Sequence, residues 1–270
     1  MAILATFYDH IVEIAKQEGI SAEEAMQEAK KLGVRQVEVS LSNARGQAKE
    51  LARQLAGVGM GISAVPCFFD FSGPAEVDDQ IQEALALART LGAARLLVIP
   101  GFTKGSPAEV EAQTRQMLAG TARLGELAGK DGIGLVMEDF DNSAAPFSTS
   151  GGMLRFMDAC PGLAACFDTG NFRYMAEDIF VAYEALRGRI NHVHLKDRAY
   201  APTYGQHGPT GVDGQTLYPC PVGSGEMPVA SIIARLQADG YDGTYTIEHY
   251  DAARMLACLQ QSAAWVLERI

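Results

Sequence analysis

Four short apolar runs of this sequence end in residues of the kinds that hold metals or move protons. Leu135-Val136-Met137 leads into Glu138-Asp139, Ala165-Cys166-Phe167 into Asp168-Thr169, and Tyr245-Thr246-Ile247 into Glu248-His249. The fourth, Ile190-Asn191-His192-Val193-His194-Leu195-Lys196-Asp197-Arg198, turns from apolar to ionic along its length. Successive side chains on a strand point to opposite faces, so His192, His194 and Lys196 share one side. One such run alone also describes a half-buried edge strand with a satisfied histidine. Four together describe a site. Asp168 follows Glu138 by 30 residues, His194 follows Asp168 by 26, and Glu248 follows His194 by 54. The first two separations match one strand-plus-helix unit each; the third matches a unit plus a long connection. The four residues then occupy equivalent ends of strands five to eight of a parallel barrel and converge at its mouth. Three carboxylates gathered without a counter-charge repel and retain protons, which a divalent cation relieves. Three oxygen donors and an imidazole suit Mn²⁺, Mg²⁺, Co²⁺ or Zn²⁺ alike. His194 is the expected ligand, being nearer the strand's C-terminal end, and His192 is expected buried and hydrogen-bonded one layer below.

Strands must deliver those residues, and they are expected at 2–7, 35–40, 61–66, 95–100, 133–138, 164–168, 190–195 and 244–248. Alternating with helical patterns, they give an α/β fold, a (β/α)8 barrel occupying residues 1–270 as one domain. A chain of 270 residues with 48% hydrophobic content can bury the core such a barrel needs. Ser21-Ala22-Glu23-Glu24 and Ser106-Pro107-Ala108-Glu109 are capping boxes, the second with proline at the first helical position. Gly33 and Gly92 stand where a left-handed residue would end the helices beginning near 21 and 75. In the latter, Val77, Ile81, Ala84, Leu85, Ala88 and Leu91 form an apolar stripe at helical spacing. The connection from Ala199 to Gly225 exceeds the ~12–15 residues usual for loops without structure. It leaves the active end of the seventh strand and carries Tyr200, Tyr204 and Tyr218, so a lid is expected there.

Composition excludes several classes. With 22 basic and 33 acidic residues the net charge is −11, and no basic run is present, which disfavours nucleic-acid binding. Cys67, Cys160, Cys166, Cys220 and Cys258 are scattered and form no C-x-x-C pair, as expected of a cytoplasmic protein in a reducing compartment. The N-terminus has no basic n-region and meets Asp9 and His10 too early for a signal peptide, and no apolar run approaches the ~20 residues of a membrane span. A small-molecule partner is expected, and a homo-oligomer is compatible with the composition. Gly57-Val58-Gly59-Met60-Gly61-Ile62 is no dinucleotide fingerprint, since Ile62 replaces the last glycine and the motif lies between a helix and the following strand. Gly223-Ser224-Gly225-Glu226 lacks the Gly-Lys-Ser/Thr of a P-loop. It should turn the chain into a helix at 228–239, although its amides could meet a substrate oxygen.

The strand-end residues also carry a resemblance. Met137-Glu138-Asp139, Phe167-Asp168-Thr169-Gly170-Asn171, His192-Val193-His194-Leu195-Lys196-Asp197 and Gly240-Tyr241-Asp242-Gly243-Thr244-Tyr245-Thr246-Ile247-Glu248 resemble motifs of the xylose isomerase-like TIM barrels. That group, the sugar phosphate isomerase/epimerase superfamily, includes ketose 3-epimerases, hydroxypyruvate isomerase and inosose dehydratase, and the resemblance runs nearly end to end. It implies a metal held by Glu138, Asp168, His194 and Glu248, with Glu138 and Glu248 doubling as acid/base groups. One departure is Asn171, where several members have a histidine; asparagine can bond a sugar hydroxyl but cannot shuttle a proton. With histidines only at 10, 192, 194, 207 and 249, none on strands two to six, and with the acidic charge, an endonuclease-IV-like repair enzyme with a histidine-rich zinc cluster is disfavoured.

The chemistry so implied is isomerisation or epimerisation of a sugar or sugar phosphate. A metal bridging a carbonyl oxygen and a neighbouring hydroxyl acidifies the adjoining C–H. One glutamate takes that proton and the other returns one, through an enediolate. Asn171, Lys196 and Arg198 are substrate-binding candidates. Lys196 equally suits a surface ion pair with Asp197, and Arg173 and Arg198 could each take a phosphate or carboxylate. Two other readings stand: a metal-dependent dehydratase using the same ligands, and a non-catalytic sugar-binding barrel.

Overall fold

In the computed structural model, which describes residues 2–270, each expected β-run pairs with its predecessor as a parallel neighbour. The strands are β1 (Ile3–Phe7), β2 (Gln36–Glu38), β3 (Gly61–Phe68), β4 (Arg95–Ile99), β5 (Gly134–Glu138), β6 (Leu163–Asp168), β7 (Ile190–Ala199), β8 (Tyr218–Cys220) and β9 (Thr244–Glu248). All but β8 are parallel, and the β6–β7, β7–β9 and β9–β1 pairings close them into an eight-stranded (β/α)8 barrel. β2 stops earlier than expected because Ser40 caps a short helix, Leu41–Ala44, with its hydroxyl accepting from Asn43 N–H. β7 runs longer than expected because β8 pairs with its end.

The helices form where the caps place them. Ser21 and Ser106 each make both bonds of the capping box, and Gly33 and Gly92 take φ of 95° and 69°. The helix Val77–Leu91 buries Ile81, Ala84, Leu85, Ala88 and Leu91, and packs on β3 and β4. Each large aliphatic among them contributes about 1.5–3 kcal/mol by leaving water. This outer layer holds the strands in the register that builds the mouth. Among the described residues no helix is long and apolar enough to cross a membrane.

The long connection after β7 is tied to the barrel at several points. β8 pairs antiparallel with β7, setting Cys220 opposite Asp197 and Tyr218 opposite Ala199. Val212 N–H donates to Tyr174 O at 2.9 Å, and Ala253 N–H donates to Tyr204 O at 2.7 Å, tying the excursion down on both sides. At its root Asp197 acts as a latch. Its Oδ1 accepts from the backbone N–H of Arg198 and Met227 at 2.9 and 3.0 Å, and its Oδ2 accepts from Gly223 and Gly225, each at 2.9 Å. The glycine amides are therefore committed to Asp197 rather than to a substrate oxygen. Gly225 has to be glycine: a Cβ there would lie 2.3 Å from Asp197 Oδ1 and 2.6 Å from Arg198 O.

Candidate functional site

Strand register assembles the site. Asp168 is the Cα partner of His194 across β6 and β7, and Lys196 is the partner of Glu248 across β7 and β9. One donor atom from each of Glu138, Asp168, His194 and Glu248 lies within 4.8 Å of the others. His194 Nδ1 is 2.9 Å from Glu138 Oε2, 3.3 Å from Glu248 Oε2 and 4.0 Å from Asp168 Oδ2. All four side chains are buried. Asp168 Oδ1 accepts from the N–H of Gly170 and Asn171, at 2.7 and 2.8 Å. Asp168 Oδ2 and Glu248 Oε2 have no hydrogen-bond partner among the described residues. Orphaned carboxylate oxygens beside an imidazole, out of water, are a donor set that fits a divalent cation.

The two glutamates sit in different fields. Burial pushes Glu138 up to about 7, against the pull of His194. Burial acts on Glu248 as well, but Lys196 and His194 hold it down at about 2. Environments that separate two carboxyl groups in this way suit them to different roles in proton transfer. Burial works against a proton on His194, yet Cys166, Glu38 and Glu138 around the ring raise its pKa well above the ordinary histidine value. Asp139 is buried with both oxygens unpartnered among the described residues. Burial first, then Asp168 and Glu138, push its pKa well above the ordinary carboxylate value.

Lys196 is not the surface partner of Asp197. The two point to opposite faces of β7, and Lys196 Nζ lies 2.6 Å from Glu248 Oε1, 3.5 Å from Asp168 Oδ2 and 2.8 Å from Asn171 Oδ1. Asn171 also donates its Nδ2 to Asp139 O at 2.9 Å, so both its polar ends are held by protein and it positions Lys196. Arg198 pairs with Asp141 at 2.7 Å and keeps a buried Nε without a hydrogen-bond partner among the described residues. Arg173 instead bonds Asp213 at 2.8 Å and Tyr200 Oη at 3.1 Å, and so serves the excursion after β7.

A cavity of about 460 Å³ lies over the cluster. Glu138, Glu248, Lys196 and Arg198 line its polar side, and Phe7, Pro66, Phe68, Leu97, Ile99 and Phe140 its apolar side; Pro209 is the contribution of the long connection. A wider depression of about 610 Å³ at the start of β6 and β7, around Met157 and Arg189, carries none of these groups and is remote from the chemistry.

The sequence pattern does not single out Glu38. Set between Val37 and Val39, it reads as an outward polar residue of a half-buried strand, yet it is fully buried inside the barrel. Its Oε1 lies 2.7 Å from His192 Nε2, 3.0 Å from His194 Nε2 and 2.7 Å from Thr246 Oγ1. His192 is in the buried layer below the cluster, as expected.

A sequence model of the family described as xylose isomerase-like TIM barrel matches residues 26–269. No curated protein matches the chain in sequence. Among solved structures the fold is similar to that of a probable 3-DHS dehydratase from Bacillus anthracis, at 16% identity and a TM-score of 0.75, covering 100% of this chain and 99% of that one. It is also similar to a D-allulose 3-epimerase from Methylomonas sp., at 15% identity and a TM-score of 0.75, covering 100% and 98%. A third likeness is to a xylose isomerase-like TIM barrel protein from Mycobacterium smegmatis in complex with magnesium, at 18% identity and a TM-score of 0.66, covering 91% and 87%. From the closed barrel and the family match together, the chain belongs to the xylose isomerase-like TIM barrel family.

Proposed function

We propose that this protein is a divalent-metal-dependent isomerase or epimerase of a small sugar, with Glu138 and Glu248 as its acid/base pair. The observation that carries the reading is the buried four-donor cluster opening on a cavity walled by two glutamates of opposite electrostatic character. Sugar epimerases among the structural neighbours support it. Glu138, Asp168, His194 and Glu248 would hold the cation, which supplies Lewis acidity toward a carbonyl and an adjacent hydroxyl. Glu138 and Glu248 stand on β5 and β9 and flank the cavity from two sides. One takes the proton from the carbon next to the carbonyl, and the other returns a proton to the opposite face or to the neighbouring carbon. Lys196 is the proton-bearing group in contact with Glu248. Arg198 Nε, unpartnered at the wall, is a donor for a substrate oxygen, and Asn171 acts through Lys196. Both cavity cations already pair with carboxylates, Lys196 with Glu248 and Arg198 with Asp141, which favours an uncharged sugar over a phosphorylated one. Free, buried cysteines accord with a cytoplasmic setting.

A dehydratase that expels water β to the carbonyl is the second reading, supported by the likeness to the probable 3-DHS dehydratase. A panel of ketoses and polyols incubated with Mn²⁺-loaded protein and followed by NMR and mass spectrometry separates the readings. An isomerase conserves substrate mass, and a dehydratase loses one water. Sugar binding that survives chelation, with no product from any member of the panel, is the behaviour of a non-catalytic barrel and would defeat both.

His194→Ala removes the only nitrogen from the donor set. Mn²⁺ binding, titrated by electron paramagnetic resonance, should weaken by more than roughly 100-fold, beyond what loss of an outer-shell partner costs. A variant that binds Mn²⁺ as tightly as wild type would show the ligand assignment to be wrong.

A further inference from the structure

The layer beneath the cluster contains a buried carboxylate, Glu38, an imidazole, His192, and an arginine, Arg95, that the proposed chemistry leaves unused. Glu38, His192 and His194 are all fully buried, and one oxygen, Glu38 Oε1, faces Nε2 of both rings and the hydroxyl of Thr246. Proton positions follow from the far end. The Arg95 guanidinium lies 2.9 Å from His192 Nδ1, and a guanidinium can only donate. His192 Nδ1 is therefore an acceptor, its proton is on Nε2, and Nε2–H donates to Glu38. A carboxylate has only acceptors to offer, so His194 must likewise present Nε2–H to Glu38 at 3.0 Å. The other nitrogen, Nδ1, faces Glu138, Asp168 and Glu248, where a bound cation would take the place of a proton.

We propose that Glu38 is the positioning residue of the metal centre: it locks His194 as the Nε2–H tautomer, ring oriented, so that Nδ1 presents its lone pair to the cation. A hydrogen-bonded carboxylate behind a ligating imidazole orients the ring and raises its basicity. Arg95 and His192 hold Glu38 in turn, so the relay runs from the bottom of the barrel to its mouth: Arg95, His192, Glu38, His194. The inference rests on the metal-centre reading above. It also gives this layer a structural purpose in place of a second metal site: Cys166, His192 and His194 offer donor atoms within 4.8 Å, but the imidazole Nε2 atoms are taken by Glu38 and Arg95 adds positive charge.

Glu38→Gln keeps the size of the side chain, but its amide can donate to His194 Nε2 and so favour the wrong tautomer. Mn²⁺ affinity of the purified full chain should fall about 10–100-fold, with Glu38→Asp recovering part of the loss. Because a buried substitution can impair folding, the second measurement uses wild-type protein. Long-range ¹H–¹⁵N correlation of histidine-labelled, Zn²⁺-loaded protein should show Nε2–H for both His192 and His194. An Nδ1–H pattern for His194, an unchanged Mn²⁺ affinity in folded Glu38→Gln, or two Zn²⁺ bound per chain with the His192 Nε2 proton lost would each overturn the positioning role. Wild type that binds neither Mn²⁺ nor Zn²⁺ defeats the metal-centre reading itself, and with it this inference.

Discussion

Glu138→Gln and Glu248→Gln should each lower turnover by about 10²–10⁴-fold, the usual reach of a general acid or base. Glutamine preserves the side-chain size and a carbonyl oxygen donor while removing the basic oxygen, so part of the metal affinity should survive. Both variants are therefore to be assayed metal-replete, with bound Mn²⁺ measured alongside rate. The two effects should not add, because the proposed mechanism has the residues serve successive halves of one reaction. The double variant is expected to lose little more than the worse single one. Lys196 Nζ lies 2.6 Å from Glu248 Oε1 and has no such contact with Glu138, so Glu248→Gln should also disturb a buried cation and lower thermal stability more than Glu138→Gln does. Metal-replete variants that both keep wild-type turnover would refute the two-glutamate mechanism.

Asp197→Ala should be strongly destabilising. It strips the acceptor from four backbone N–H groups, those of Arg198, Gly223, Gly225 and Met227, which converge from two segments. Leaving partly buried donors unmet costs ~1–3 kcal/mol each before water repairs some of them, so a net loss of about 2–4 kcal/mol is expected. For a chain of this size that lowers Tm by roughly 4–8 °C. Asp197→Asn should recover less than half, since its amide turns two acceptor contacts into donor-against-donor contacts. The root of the long connection would loosen together with the end of β7, which carries Lys196 and Arg198. Calorimetry is the direct check. A melting temperature within about 1 °C of wild type would mean the latch carries no load.

The parts of the site legible in the sequence are those where chemistry interrupts an apolar run. Glu138, Asp168, His194 and Glu248 each follow or punctuate buried β-branched and aromatic residues, and the structure brings all four together. Strand alternation also carries the correct side for Lys196: adjacent residues face opposite ways, which disfavours an ion pair with Asp197 on geometry alone. Glu38 is hidden for a different reason. It ends a strand of three residues, with a valine before and after it in sequence, and only the register of β2 against β1 shows which face is inward. β8 is equally hard to see: Tyr218-Pro219-Cys220 is short, contains proline and lies among turn residues, so no period-2 pattern emerges. Its partner strand, not its own sequence, makes it a strand.

The most direct test of the account is hydrogen exchange at the reacting carbon. Mn²⁺-loaded protein is incubated in D₂O with each ketose of the panel, the metal is chelated, and the sugar is examined by NMR. Wild type should place solvent deuterium on the carbon adjacent to the carbonyl, in recovered substrate or product, and prior chelation should abolish it. A variant lacking only the returning acid can still exchange that hydrogen without forming product, whereas one lacking the base should do neither. Product formed with no deuterium from solvent, or exchange at the wild-type rate in chelated protein, would contradict metal-dependent proton transfer between Glu138 and Glu248.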